Sequence, residues 1–203
     1  MDTEEAIISR RSIRRYTPKK VNKEDILGIL EVAMWAPSAC NHQAHKVIYI
    51  EKDETKEKLV ALGAAHFIKN APAVLLFLYE NIGDNIAYSD DIQSTSAFIE
   101  NFLLLAHAKG FGACWICHLP SKRKLRRMFN IPRSINPIAA VTIGYPKRAP
   151  IIVPRKYKVS DIFFEDRLPT GIKVPDRNLV LLIKRILRKI YYFLPTALKK
   201  KLN

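Results

Sequence analysis

A single core of mixed helices and strands is what this sequence predicts, on three observations. Short apolar runs with the character of strands alternate with stretches of helical period. Hydrophobic residues fill 48% of the 203 positions, the composition of a folded globule. No G-x-G-x-x-G occurs, so the chain lacks a resident dinucleotide-binding domain of the Rossmann kind, and any nicotinamide cofactor would be a visiting substrate.

The elements follow in order. Asp2 or Thr3 caps a short helix ending near Arg10. Asn22 with Asp25 three residues on has the form of a capping box. It opens a helix whose stripe is Ile26, Leu27, Leu30, Ala33 and Met34, stopped by Pro37. Lys46 to Ile50 is a strand, and Ala73 to Tyr79, apolar throughout, is a buried one. A long helix starts at Ser89 or Asp90 and stops at Gly110. It is apolar or small on most faces (Ala97, Phe98, Leu103, Leu104, Leu105, Ala106), which places it centrally or at a subunit interface. Ala113 to Cys117 is a short strand, Ser121 to Phe129 a capped basic helix, and Ile138 to Ile143 a further strand. Residues 146–175 carry five prolines and little periodicity, so an extended arm is expected there.

The formal charge of +15 is uneven. Residues 176–203 hold eight basic side chains and one acid, +7 of the total, which leaves +8 for the rest. Such a surface attracts anions of any kind: a dinucleotide, a flavin phosphate, an acidic lipid. The opening Met-Asp-Thr-Glu-Glu lacks the pattern of a secretory leader, and the longest apolar run is about half a membrane span. With three cysteines, a reducing cytoplasmic setting is expected.

Four segments carry chemistry. Ser9 to Tyr16 holds four arginines, a run that most often is only a solvated face. Yet Arg10, Ser12 and Arg14 alternate around Ile13, and guanidinium with hydroxyl donors suits a phosphate. Pro37, Ser38, Ala39, Cys40, Asn41, His42 and Gln43 follow a helix and read plainly as a turn; Asn41 offers both a donor and an acceptor. Gly110 to Trp115 runs into Cys114-x-x-Cys117-His118, formally a haem-attachment string and also a redox or zinc half-motif. No leader and no second cysteine pair support haem or zinc. Pro154, Arg155 and Lys156 place a late cation in the arm. His42, His66 and His107 have no metal-ligand spacing, no metal site is expected, and no paired catalytic acids or Ser-His-Asp order stands out.

Together these segments, at this spacing, resemble the nitroreductase family of FMN-dependent oxidoreductases, from about residue 4 to residue 166. The resemblance implies an α+β fold, a central mixed or antiparallel sheet flanked by helices, in an intertwined homodimer with flavin at the interface. It implies that Arg10 and Ser12, with Arg11 in the same segment, bind the FMN phosphate, and that Arg14 reaches the N1/O2 edge of the ring. Pro37, Ser38, Ala39 and Asn41 would cover the ring from the partner subunit. The similarity of Gly110, Gly112 and Trp115 to a strand of the family implies that Cys114 is a buried apolar residue. Backbone at Cys117 would approach N5, and Arg155 would close on the phosphate. The implied reaction is ping-pong: NADH or NADPH reduces the flavin at N5, then a nitroaromatic, quinone, enone or flavin takes the electrons. No side chain is expected to be catalytic. The chain departs from the family at Cys40, where glycine is usual, and at Ala44-His45, where an aromatic or Pro-Trp is usual. Alternatives are a membrane-associated flavin-binding accessory protein without turnover, and dehalogenase or flavin-breakdown chemistry on the same fold.

The expected organisation is a flavin domain over 1–175, arm included, and a basic tail over 176–203. In the tail, residues 178–194 carry a stripe of Leu179, Leu182, Ile183, Ile186, Leu187, Ile190 and Leu194 with basic residues off it. Packing on a partner subunit is the first expectation. Residence on an anionic membrane surface through 178–201 is the second. A specific nucleic-acid partner is not expected, because no recognition module accompanies the charge.

Overall fold

The computed structural model describes residues 1–82, 86–116 and 118–171, with positions 179, 180, 182, 183, 186 and 187. It divides into two compact units, Met1–Ile152 and a second beginning at Val153.

The first unit contains helices α1 (Thr3–Ser9), α2 (Lys23–Ala33), α3 (Asp53–Ala61), α4 (Asp90–Ala108) and α5 (Lys122–Phe129). Its strands are β1 (His45–Ile50), β2 (Ala73–Glu80), β3 (Gly112–Ile116) and β4 (Ile135–Gly144). They form one antiparallel sheet in the order β1-β2-β4-β3. Central β2 is buried from Ala73 to Tyr79, and its side chains alternate between two cores. Ala73, Leu75 and Phe77 face a core shared with Ile26, Ile29 and Ala33 of α2 and Phe98, Ile99 and Phe102 of α4. Val74, Leu76 and Leu78 face a second core with Leu59 of α3, Ile68 and Leu125 of α5. The sheet is thus covered on both faces, which explains why β2 shows no polar alternation. Phe77 anchors the first core, edge-on to Phe98 at 5.3 Å and to Phe102 at 5.8 Å.

β4 carries Pro137 although it is a central strand. The register slips between Phe77 and Leu78, which pair with Ala139 and Pro137, leaving Ile138 as the bulged residue. Pairing with β3 covers only Ala140 to Gly144, so the missing proline N–H falls beyond that ladder.

Most elements lie where the sequence places them, with three differences. Asn22 precedes α2 but its side chain makes no capping bond. Leu27 and Met34, expected on the buried stripe of α2, are each 53% exposed, and Ile29 takes the buried position instead. Helix α3 was not anticipated, for its sequence DETKEKLVA has little apolar period. The long helix ends as expected. Gly110 adopts φ +81°, Gly110 N–H donates to His107 O at 2.9 Å and Phe111 N–H to Ala106 O at 2.8 Å, the paired bonds of a Schellman motif.

From Ile151 to Gly171 every residue is exposed, and the only regular feature there is a 3-10 turn over Val159–Asp161. The six described tail positions are helical and exposed. Ile190 and Leu194 lie outside the described residues. Among the described residues no helix is long and apolar enough to cross a membrane.

Candidate functional site

The first and third sequence segments come together. Residues 10–16 run along the outer edge of β3, where Ser12 bridges Ala113 in parallel and Ile13 N–H donates to Ala113 O at 2.9 Å. An extended backbone sends alternate side chains to opposite sides. Ile13 turns to the sheet, packed so closely on Gly112 that a Cβ there would lie 2.9 Å from three of its side-chain carbons. Ser12 and Arg14 are exposed. Further along, Thr17 N–H donates to Tyr145 O at 2.9 Å and Lys147 N–H to Arg15 O at 3.0 Å.

A buried tyrosine locks the segment from below. The Tyr16 hydroxyl donates to Ile13 O at 2.5 Å and lies 2.7 Å from Thr142 Oγ1, which bonds Cys114 O at 3.4 Å. Burial, ahead of any neighbouring charge, raises the Tyr16 pKa, so the phenol remains a donor. Cys114 is 1% exposed, the buried residue the sequence predicts.

Helix α4 holds the start of the segment. Arg10 Nε lies 3.5 Å from Glu100 Oε1, yet this buried nitrogen has no hydrogen-bond partner; the contact is an ion pair with a donor left over. Ser9 Oγ donates to Glu5 O at 2.6 Å and sits 2.7 Å from His107 Nε2. Its one proton is then committed, so His107 donates through Nε2–H. Burial first, then Arg10 and Arg11, lower the His107 pKa and keep the ring neutral. Arg11 turns back, its Nη1 donating to Ile8 O at 2.7 Å and Arg10 O at 2.5 Å. Arg14 lies over the Phe67 ring at 5.9 Å.

The loop after α2 is built differently. Pro37 and Asn41 are exposed, Ser38 and Ala39 half-buried. Cys40, Asn41 and Gln43 have φ of 49°, 56° and 50°, three non-glycine residues in the left-handed region within four positions. Ser38 Oγ accepts from Gln43 N–H at 3.0 Å, and Gln43 Nε2 donates to Asn41 Oδ1 at 2.8 Å. Ala39 N–H donates to Ser94 Oγ of α4 at 3.0 Å. The left-handed Cys40 gives a physical reason for the glycine expected there. His45, in the place of the usual aromatic, packs on Tyr79 at 5.0 Å and Phe98 at 4.7 Å, with neither ring nitrogen hydrogen-bonded. Burial, then Lys46, lowers its pKa.

The two segments meet α4 near opposite ends. Ser94 and His107 are thirteen residues apart, about 20 Å along a helix axis. Arg155 is exposed in the second unit. Cys117 lies outside the described residues. Sequence reasoning does not find Ser94, Glu100 or Phe67 and considers His107 only as a metal ligand, since each acts through a contact between distant positions. Among the described residues no group of three His, Cys, Asp or Glu side chains is placed to hold a metal.

The donors fit a flavin mononucleotide. The Arg10 guanidinium with its unsatisfied Nε and the exposed Ser12 hydroxyl suit a phosphate monoester, and the Arg14 cation suits an electron-rich ring edge.

Comparison with known proteins agrees. A sequence model of the nitroreductase family matches residues 7–63 and 58–145. A protein of Archaeoglobus fulgidus, provisionally named NADH dehydrogenase/NAD(P)H nitroreductase, is 32% identical over 166 residues, 80% of this chain and 93% of its own length. An FMN reductase [NAD(P)H] of Bacillus subtilis is 27% identical over 161 residues, 70% of this chain and 64% of that protein. The crystal structure of a provisionally named NADH oxidase from Clostridium acetobutylicum superposes with a TM-score of 0.70 at 32% identity, covering 80% of this chain and 99% of that one.

Proposed function

The chain belongs to the nitroreductase family, and from that premise we propose that it is an FMN-dependent NAD(P)H oxidoreductase reducing a small organic acceptor. The observation that carries this is the run Arg10-Ser12-Arg14, fixed along β3 with two cations and a hydroxyl presented from one edge. Bound FMN supplies hydride uptake from NAD(P)H and electron delivery to the acceptor. Arg10 and Ser12 hold the phosphate. Arg11, spent on two carbonyls, shapes the turn that presents them. Arg14 balances negative charge at the ring edge. Neutral His107 holds Ser9 and adds no competing charge.

Pro37, Ser38, Ala39 and Asn41 are assigned to the ring of a second copy's flavin on the family resemblance, and Cys117 and Arg155 are candidates for N5 and the phosphate on their sequence positions alone. Two features support a homodimer. The loop and the phosphate segment are anchored about 20 Å apart on one α4, so one loop is poorly placed to serve its own segment. Beside that loop Leu27, Val32, Met34 and Trp35 are 51–88% exposed, a large apolar surface for a lone protomer. For residues 176–203, whose sequence sets an apolar stripe beside basic side chains, the proposed role is contact with the second copy. Sedimentation with anionic liposomes, intact chain against residues 1–175, decides between that and a membrane-surface role.

The test is the visible spectrum of purified protein before and after anaerobic NADH, then NADPH. A flavin spectrum bleached by either donor is expected. A colourless protein that cannot be reconstituted with FMN would overturn the assignment. Acceptor screening over nitroaromatics, quinones, enones and free flavin then names the substrate class, and light scattering gives the assembly.

A further inference from the structure

Helix α5 presents a second cationic site, built from none of the residues of the proposed flavin site. Its buried anchor is Leu125, with Met128 and Phe129 packed beside it against the second core. Arg123, Arg126 and Arg127 stand at i, i+3 and i+4 and share the opposite face. The helix stops at Asn130 in the left-handed conformation (φ 53°), and the chain turns back through Ile131. That turn brings Arg133 alongside, so four arginines and Ile131 line one open pocket of about 640 Å³. This is the size range of small-molecule sites.

Four guanidinium groups around one concavity repel one another, and a solvated face has no reason to converge on a hollow. No carboxylate lines the pocket, and among the described residues none of the four makes an ion pair. Arg126 is held in place by bonds to Ile135 O at 3.1 Å and Asn136 Oδ1 at 2.7 Å, while its buried Nε has no hydrogen-bond partner. The helix C-terminus adds about half a negative charge nearby, too little to neutralise four cations.

We propose that this pocket binds a small, multiply phosphorylated anion from solution, such as a nucleoside polyphosphate or an inorganic polyphosphate. Guanidinium groups bind phosphate oxygens in bidentate fashion, and several phosphates in series match several arginines better than one does. Ile131 offers an apolar floor for a base or sugar.

The experiment is calorimetric titration of the full-length protein with sodium tripolyphosphate, at constant ionic strength and with excess FMN present so that the phosphate segment is not available. Saturable binding is expected, about ten-fold tighter than for orthophosphate. The triple variant R123Q/R127Q/R133Q should lose about ten-fold or more in affinity while retaining its flavin. Arg126 is left intact because it braces β4. If the triple variant does not fold, R133Q alone, outside the helix, should weaken binding in the same direction. Three results would overturn the proposal: no saturable tripolyphosphate binding, binding unchanged in the variants, or variant-sensitive binding confined to phosphatidate vesicles.

Discussion

Residues 10–16 are stitched into the sheet by backbone bonds to β3 and by a buried tyrosine, whereas residues 37–43 are tied to α4 through Ala39 and Ser94 and otherwise fold on themselves. The first segment is unstrained, and every residue in it has ordinary φ. The second carries three left-handed residues. A phosphate needs donors fixed in space, and scaffold backbone supplies that. Under the proposed ping-pong reaction, a surface that admits first a dinucleotide and then an acceptor benefits from a loop that can shift, and a lightly tethered, strained loop is suited to it. Mutations in the first segment should therefore act on flavin retention, and mutations in the second on turnover.

The largest expected effect comes from Gly112→Val. The added side chain would collide with Ile13, already 2.9 Å from where a Cβ would sit. Lifting Ile13 off β3 should cost about 1–3 kcal/mol and abolish flavin retention. Denaturant unfolding and the flavin-to-protein absorbance ratio check both. Retained flavin at full occupancy would mean that the edge of β3 does not position the phosphate donors.

Next come Arg10→Ala and Arg14→Ala. Each removes a cation proposed to face the negative charge of the flavin, and FMN affinity should fall about ten-fold for each. Arg10→Ala also leaves Glu100 unpaired, so Arg10→Ala with Glu100→Gln should restore stability but not flavin binding. A flavin reduction rate and an FMN affinity unchanged in Arg14→Ala would remove Arg14 from the site.

The fold also carries a pH dependence. His107 and His45 both have pKa values lowered from 6.5 in the fold. Between the lowered and the ordinary value the unfolded chain binds more protons than the folded one, so stability rises with pH through that window. Acidification from about pH 7 towards 5 should therefore weaken the fold. His107→Gln, which can still donate to Ser9, should flatten part of that slope; an unaltered pH profile would exclude His107 as a contributor.

These residues also show what sequence can reveal and what it cannot. The family resemblance, the Gly110 stop and the apolar β2 were legible because each rests on local rules: fixed spacing, a left-handed cap, burial on both faces. Helix α3 was not legible. Lys56 is 4% exposed there because its ammonium reaches Ala71 O at 2.7 Å and Asp53 at 2.8 Å, a burial that no periodicity of apolar residues signals. The α2 stripe was misjudged for a related reason. Leu27 and Met34 satisfy helical spacing, but the protomer does not cover them. The supports of the site, Ser9 with His107 and Ala39 with Ser94, join positions 98 and 55 residues apart. Only the fold reveals such pairs.

The smaller effects belong to the loop. Ser94→Ala removes the acceptor for Ala39 N–H and should cost about 1 kcal/mol. Flavin content should stay unchanged while kcat or acceptor preference shifts; loss of flavin without a change in turnover per bound flavin would reverse the assignment of roles between the two segments.

The smallest effect, Cys40→Gly, addresses strain alone. Cys40 sits at φ 49°, ψ 23°, a conformation that costs a side-chain-bearing residue about 1–2 kcal/mol and glycine almost nothing. Glycine gives back about 0.5–1 kcal/mol through the greater freedom of the unfolded chain. The balance is a gain of about 0.5 kcal/mol, or about 1–2 °C in Tm for a chain of this size. Cys40→Ala separates strain from thiol chemistry, because alanine keeps the Cβ and with it the cost. If alanine stabilises as much as glycine, the benefit comes from losing the exposed thiol. If only glycine stabilises, the loop stores backbone strain at the position where the family resemblance leads one to expect glycine.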